Sequence, residues 1–251
     1  MKIIPNSIDS ALENVAEKPT HFIGTLIQDA LYLKFGNIHQ NAERRRLLDK
    51  YGLSELEKRI KENIQHIPLE HLMEPDFQTL MLSLDNVTPC LRSDILQDLF
   101  AQLIARSCNK TYKDIVHPSF SEIIKQMSPL DAKVFDFFIK EKPEQIITYS
   151  HYNELRDCYS CVPYFFDTYP HPEDAIKVSV SISSLMRLGL IAFHDDAIVF
   201  DVEDSLFRHS DFYKDCERKR IESKKYANSG ITGKMCILTP FGNTFATACL
   251  S

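Results

Sequence analysis

Apolar residues recur at three- and four-residue steps through most of the first half of the chain. Leu56, Ile60, Ile64 and Ile67 fall on one face of a helix, while Glu57, Arg59, Lys61 and Glu62 fall elsewhere. Ser54 and Glu57 ahead of that stripe have the spacing of a capping box, in which each side chain satisfies an orphan backbone donor. A further helix is predicted from about Glu74-Pro75-Asp76, with Phe77, Leu80, Met81 and Leu84 on its buried stripe. The next runs from about Ser93 to Ser107. Its pairs Ile95/Leu96, Leu99/Phe100 and Leu103/Ile104 form the widest apolar face in the sequence and predict a central position in the core. The apolar stretch Phe22 to Phe35 is broken by Gln28, Asp29 and Lys34 and falls short of the roughly 20 residues that cross a bilayer. It predicts a buried helix, and no membrane.

Two helix starts follow in quick succession. Ser119 with Glu122 and Ser128 with Asp131 both have capping-box spacing, and Pro129 sits where a missing amide hydrogen costs nothing. The first start precedes Phe120, Ile123, Ile124 and Met127; the second precedes Leu130, Val134, Phe137 and Phe138, with Phe135 alongside. Because proline pushes the preceding residue out of helical geometry, the chain turns at Ser128.

Beyond Pro143 the pattern loosens. Tyr149 to Pro172, rich in aromatics, prolines and turn formers, is expected to be a short helix or irregular connection. Helix resumes from Glu173 to Leu188 and stops at Gly189, a natural left-handed cap. Leu190 to Phe193 and Ala197 to Asp201 flank a His-Asp-Asp turn and predict a hairpin. A charged helical insertion at about Ser205 to Tyr226 comes next. Asn228 to Gly233 then breaks the chain, Met235 to Leu238 forms a last strand, and Thr239-Pro240 starts a final helix through Phe241 and Phe245. The expected fold is mainly α: a helical bundle over residues 1–115, then a winged-helix-like α+β domain over 116–251. That domain carries a small antiparallel sheet and a charged helical insertion at about 202–233.

Composition narrows the function classes. The chain has 251 residues, 44% of them hydrophobic, enough for one large core or two modest ones. A net charge of −6 works against non-specific attachment to nucleic acid or anionic lipid. Seven scattered cysteines suit reduced thiols better than a disulfide framework, and no import signal is evident, so the expected compartment is the cytoplasm.

Three blocks resemble the bacterial Abi-alpha family, named for abortive infection. They are Leu96 to Ala105; His117-Pro-Ser-Phe with Ser128-Pro-Leu-Asp-Ala132; and Leu185-Met-Arg-Leu-Gly-Leu-Ile191 with Leu238-Thr-Pro-Phe-Gly242. The resemblance covers roughly Ala30 onward and implies an association with bacteriophage defence or prophage loci. It carries over no catalytic residues.

Candidate chemistry is sparse. Cys158-Tyr-Ser-Cys161 is the one paired-cysteine spacing, with His151 and His171 nearby; structural zinc normally takes two such pairs, so two reduced thiols are favoured over a metal site. The segment Lys214 to Lys225 holds six basic and three acidic residues, and Lys214, Arg218, Lys219, Arg220, Lys224 and Lys225 are its candidate contacts to nucleic acid or a partner. Its charge pattern reads as a mixed solvated face. The presumed recognition helix, Glu173 to Leu188, has no net charge, which favours protein contact over reading of DNA. Asp195, Asp196, Asp201, Glu203 and Asp204 resemble a metal-nuclease cluster, but turn chemistry accounts for Asp195 and Asp196. No motif demands a cofactor. The leading expectation is a non-enzymatic interaction protein of phage defence that binds a phage or host protein, with a homodimer left open. A winged-helix DNA-binding regulator is the alternative, and an enzymatic toxin without recognisable motif ranks third.

Overall fold

The computed structural model describes residues 19–35, 48, 51–143, 145–155, 158–194 and 200–250. The chain divides into two compact units, one of Met1–Lys125 with Ala248–Ser251, the other of Gln126–Thr247.

The first unit is built on helices α1 (Pro19–Phe35), α2 (Leu53–Gln65), α3 (Phe77–Asn86) and α4 (Asp94–Ser107), ending in α5 (Phe120–Gln126). α4 is central, as its sequence predicts: Leu96, Leu99, Phe100, Leu103 and Ile104 are all buried. Leu56, Ile60 and Ile64 of α2 and Ile23, Ile27 and Leu31 of α1 join that core. A charged clasp ties α2 to α4. Arg59 donates to Asp94 Oδ1 at 2.9 Å and to Asp98 Oδ1 at 2.5 Å, and also pairs with Glu55 one turn back.

Two local expectations fail here. α2 begins at Leu53, so Ser54 lies inside the helix and the residue at the cap is Gly52, left-handed at φ 110° with no side-chain cap. The reason is steric as well as conformational, since a Cβ on Gly52 would lie 2.7 Å from the Leu91 carbonyl oxygen. Phe77 also leaves the predicted stripe. It directly follows the N-cap Asp76 and is 76% exposed, while Leu80 and Leu84 are buried with Thr79 and Ser83.

The second unit runs α6 (Pro129–Glu141), β1 (Gln145–Tyr152), β2 (Cys158–Phe166), α7 (Ala175–Arg187), β3 (Ile191–Phe193), β4 (Phe200–Asp201), α8 (Asp211–Ser223), β5 (Asn228–Leu238) and α9 (Pro240–Cys249). The Ser128–Asp131 capping box forms in full: Asp131 N–H donates to the Ser128 hydroxyl at 3.1 Å and Ser128 N–H to the Asp131 carboxylate at 2.8 Å. The strands make a small, curled antiparallel sheet in the order β2-β1-β5-β3, with β4 also on β5. Helices and sheet together make an α+β fold.

Three sequence expectations are corrected in this unit. Tyr149 to Pro172 is no irregular link, because most of it lies in β1 and β2. Ile146, Ile147, Tyr149, Ser150 and His151 are all buried, so the usual alternation of a half-buried strand is missing. Phe166, across from Ile146, lies against Phe138 of α6 on one face (rings 5.4 Å apart), and Phe207 lies against Tyr149 on the other (5.8 Å). Pro163, which discouraged a strand assignment, is tolerated because β2 is an edge strand bulged at that point. Next to it the Tyr164 amide donates to Ser179 of α7 instead of a neighbouring strand.

Asn228 to Gly233, expected to break the chain, is the first half of β5, pairing in register from Gly233↔Ile147 to Asn228↔Tyr152. Its glycines make room for rings. A Cβ on Gly233 would lie 2.6 Å from the ring of Phe200, and one on Gly230 would meet Tyr152 at 3.3 Å. The expected hairpin is also different: β3 pairs with Cys236 to Leu238, and Phe200 and Asp201 pair with Gly233 and Thr232 of the same strand β5, while Ala197 to Val199 lie outside the described residues.

The end of α7 and the start of α9 form one clasp. Gly189, at φ 74°, ends α7 with the Leu190 amide bonded back to Leu185 O at 3.0 Å. Thr239 N–H donates to Leu190 O at 3.1 Å, the Thr239 hydroxyl donates to Gly189 O at 2.5 Å and accepts from Gly242 N–H at 2.8 Å. Gly242 lies against the Leu190 backbone, where an added Cβ would come within 1.9 Å of the carbonyl oxygen.

This packing sets an ordering of stabilities in urea titrations. Gly242→Ala is expected to destabilise by about 3 kcal/mol or more, since the clash is with backbone that cannot rotate away. Gly24→Ala in α1, where nothing lies within 4 Å of the added carbon, should instead stabilise by about 0.5–1 kcal/mol. Ser128→Ala should cost about 1 kcal/mol through loss of the cap.

Candidate functional site

The densest polar cluster lies where α8 meets the sheet. Residues two apart on a strand share a face, so Tyr149 and His151 of β1 point the same way, and Glu217 of α8 is placed over them. The Tyr149 hydroxyl donates to Glu217 Oε1 at 2.6 Å and lies 2.7 Å from His151 Nε2. With its one proton committed to the carboxylate, the phenol oxygen accepts from His151, which places an imidazole proton on Nε2. Arg220, one turn along α8, donates from Nε and Nη2 to Glu217 Oε2 at 3.2 and 2.9 Å. Its Nη1 reaches the carbonyls of Tyr226 and Ala227 at 3.2 and 2.9 Å.

Each ionisable member is displaced by this arrangement. Burial works against the charge of Glu217, yet hydrogen bonds from Arg220, Tyr149 and Ser229 outweigh it and hold the carboxyl below its ordinary 4.5. Burial, reinforced by the adjacent carboxylate, drives the Tyr149 phenol far above its ordinary 10. Burial keeps His151 below 6.5, with Glu217 pulling it back and Arg220 pushing it further down. Tyr149 is fully buried and His151 is 7% exposed, so the cluster is a tether rather than an open cavity. Its strength matters because α8 buries none of its own residues completely.

The predicted basic arm is largely neutralised within itself. Lys214 pairs with Asp211 at 3.2 Å, Lys219 with Asp215 at 2.6 Å, and Arg218 with both Asp215 and, at 3.2 Å, Glu222. Arg220 belongs to the Glu217 network. Lys224 is different: it is the left-handed C-cap of α8 at φ 53°, and Lys225 Nζ lies 5.1 Å over the ring of Tyr226. Only these two end the arm without a carboxylate in ion-pair range among the described residues.

Cys158 is exposed at the start of β2, and Cys161 is half-buried at a bulge between Ser160 and Val162. Burial, with smaller contributions from Cys216 and Glu217, pushes the Cys161 thiol up to about 11. Both are free thiols. His171 pairs with Glu173 at 3.2 Å. Among the described residues no group of three His, Cys, Asp or Glu side chains is placed to hold a metal ion. Asp201, Glu203 and Asp204 are exposed; Asp195 and Asp196 lie outside the described residues. A separate open cleft of about 510 Å³ is lined by Lys142, Pro143, Asp167, Thr168, Phe200 and Met235. Asp167 already has work there, accepting from Ser205 Oγ at 2.6 Å and from the amides of Leu206 and Phe207 at 2.9 and 3.0 Å.

The sequence singles out His151 only as a neighbour of the cysteine pair, and does not join it to Tyr149 and Glu217. The available signals were the Tyr-x-His alternation and the Glu217/Arg220 spacing of three, both weak until β1 is recognised as a strand.

Fold and site define a two-unit α+β protein whose second unit carries a helical arm tethered by a buried polar network. The abortive infection alpha family model matches residues 49–249, and the chain belongs to that family. No curated protein and no solved structure matches it. Among the described residues no helix is long and apolar enough to cross a membrane.

The tether gives a pH signature. His151, with its folded pKa below 6.5, takes up a proton more readily when unfolded, so stability falls as pH drops below about 6.5. Glu217, also depressed, contributes stability above 4.5 that is lost as pH falls through its lower folded value. Urea midpoints measured from pH 8 to 4 should therefore decline on acidification, and His151→Gln should flatten the upper part of that decline. Tyr149→Phe should cost about 1–3 kcal/mol at pH 7.5 by removing a buried donor to a carboxylate.

Proposed function

We propose that the chain is a non-enzymatic interaction protein of abortive infection, working in the cytoplasm through contact with a phage or host protein. Family membership supplies the biological setting. The exposed face of α7 carries the molecular reading. We regard α6, α7 and the β3–β5 pair as winged-helix-like, with α7 in the place of a recognition helix. Its outer stripe is Ile176, Val180, Ser183 and Arg187, at steps of four, three and four residues.

Ile176 is 49% exposed and Val180 67%, while Lys177 is paired with Asp174 at 2.7 Å and Arg187 donates to Gln126 at 3.0 Å. A helix entering a DNA groove would present cations to phosphates. This one presents branched apolar side chains, which suit a protein surface. The neutralised body of the arm points the same way.

The test joins phage plaque counts to affinity purification from phage-challenged cells. A strain carrying the protein should give fewer plaques than one lacking it, and Ile176→Asp with Val180→Asp should abolish both the protection and the captured partner while leaving the thermal midpoint unchanged. Equal plaque counts with and without the protein would remove the defence reading. A salt-sensitive gel shift on duplex DNA, lost in Arg218→Ala, Lys219→Ala and Arg220→Ala together, would favour a DNA-binding regulator instead.

A further inference from the structure

The far end of the sheet carries an arrangement that the tether and the partner reading leave unused. Tyr159 of β2 stands beside His151 in the strand register, so both occupy the face that carries α8. The ring of Tyr226, just beyond α8, lies 6.0 Å from that of Tyr159 at an interplanar angle of 18° and 5.5 Å from His151. Tyr226 is thus enclosed by two rings and by the Lys225 ammonium, whereas Tyr159 stays 57% exposed. An exposed tyrosine stacked on a fixed one is a platform with room for another flat group.

The platform is held in place from beneath. Arg220 grips the carbonyls of Tyr226 and Ala227, and Glu217 grips Arg220. Beside it lie Lys224 and Lys225, both exposed, the two cations of the arm that no carboxylate neutralises among the described residues. Lys224 holds its left-handed backbone although lysine has no particular ease there, and the next residues lead straight to Tyr226. Stacking surface and unpaired positive charge are therefore supplied by one short segment.

We propose that Tyr159, Tyr226, Lys224 and Lys225 form a binding site for a nucleoside phosphate, either free or as a unit of single-stranded nucleic acid. The base stacks on Tyr159, and Lys224 and Lys225 take the phosphate. Base stacking on an aromatic side chain tolerates any base. Two cations serve one or two phosphates, not a duplex footprint. A duplex keeps its bases inside, out of reach of Tyr159, so it is a poor ligand for this site. The inference goes beyond the proposed protein contact on α7 and shares no residue with it, so either can fail alone.

The test uses the whole 251-residue chain and fluorescence anisotropy with a labelled twelve-nucleotide single strand, the matching duplex, and AMP and ATP as competitors. The single strand should bind and the duplex should bind at least tenfold more weakly. Displacement of the strand by millimolar AMP or ATP assigns the site to free nucleotides as well; no displacement restricts it to strands. Tyr159→Ala should weaken strand binding about tenfold, the range expected for losing one stacked base. Lys224→Asn, which keeps the left-handed cap, combined with Lys225→Gln should weaken it further and flatten the salt dependence, whose log–log slope for two phosphates on a single strand is about −1.4. All four positions lie outside the core, and unchanged thermal midpoints would confirm intact variants. Arg218→Gln with Lys219→Gln should leave binding within twofold. Failure of both strand and nucleotides to bind, or binding indifferent to Tyr159→Ala and to the lysine pair, would overturn the proposal.

Discussion

The second unit depends on one close approach, that of Gly242 to the backbone of Leu190. No side chain fits between them, and Thr239 closes the gap by bonding to both Gly189 and Leu190. This fixes three things together: where α7 ends, how β3 meets the last residues of β5, and the angle at which α9 leaves the sheet. Phe245, carried on α9, then packs edge-on against Phe135 of α6 at 5.7 Å. The Leu-Gly-Leu-Ile and Leu-Thr-Pro-Phe-Gly blocks, which begin 50 residues apart in sequence, are the two halves of a single contact. Their prominence in the chain reflects packing geometry rather than chemistry.

The opposite face of the sheet is held by a different kind of force. α8 contributes no completely buried residue; Phe212 and Tyr213 rest their rings on Phe207 and Tyr149, and Glu217 adds a directional bond to Tyr149 that Arg220, on the same helix, braces. Such a contact is strong while complete and fails abruptly, because losing one partner leaves buried polar groups unsatisfied. The arm therefore belongs among the elements that open at lower free energy than the core beneath it. The helices packed through phenylalanines behave otherwise, since their loss of contact is gradual and costs in proportion to area.

How far the fold could be read from sequence follows from this contrast. Helices with one wet face announced themselves through period and caps: α4, α6 and α7 start and stop where Ser93, Ser128 and Gly189 place them. β1 did not, because it is covered on both faces and its apolar run has no alternation, and β2 hid behind Pro163 and two bulges. Gly230 and Gly233 looked like chain breaks for want of knowing that rings of Tyr152 and Phe200 occupy the space of their missing side chains. The polar network was less legible still. Its members are 68 residues apart, and nothing local distinguishes Glu217 from its solvated neighbours.

The arm shows why a count of basic residues is a poor guide to electrostatic function. Six cations in twelve residues suggest a nucleic-acid surface, but charge that matters to a ligand is charge left over after the helix has paired its own. At spacings of three and four, Lys214, Arg218, Lys219 and Arg220 all find carboxylates on the same helix. Past the last turn that geometry ends: Lys224 turns into the left-handed region and Lys225 follows it outside the helix, where no partner three or four residues back remains in register. The helix terminus thereby sorts the cations into two populations with different roles. Those on α8 stabilise the arm, and those beyond it, set beside Tyr226 and Tyr159, are the ones that can act on something other than the protein itself.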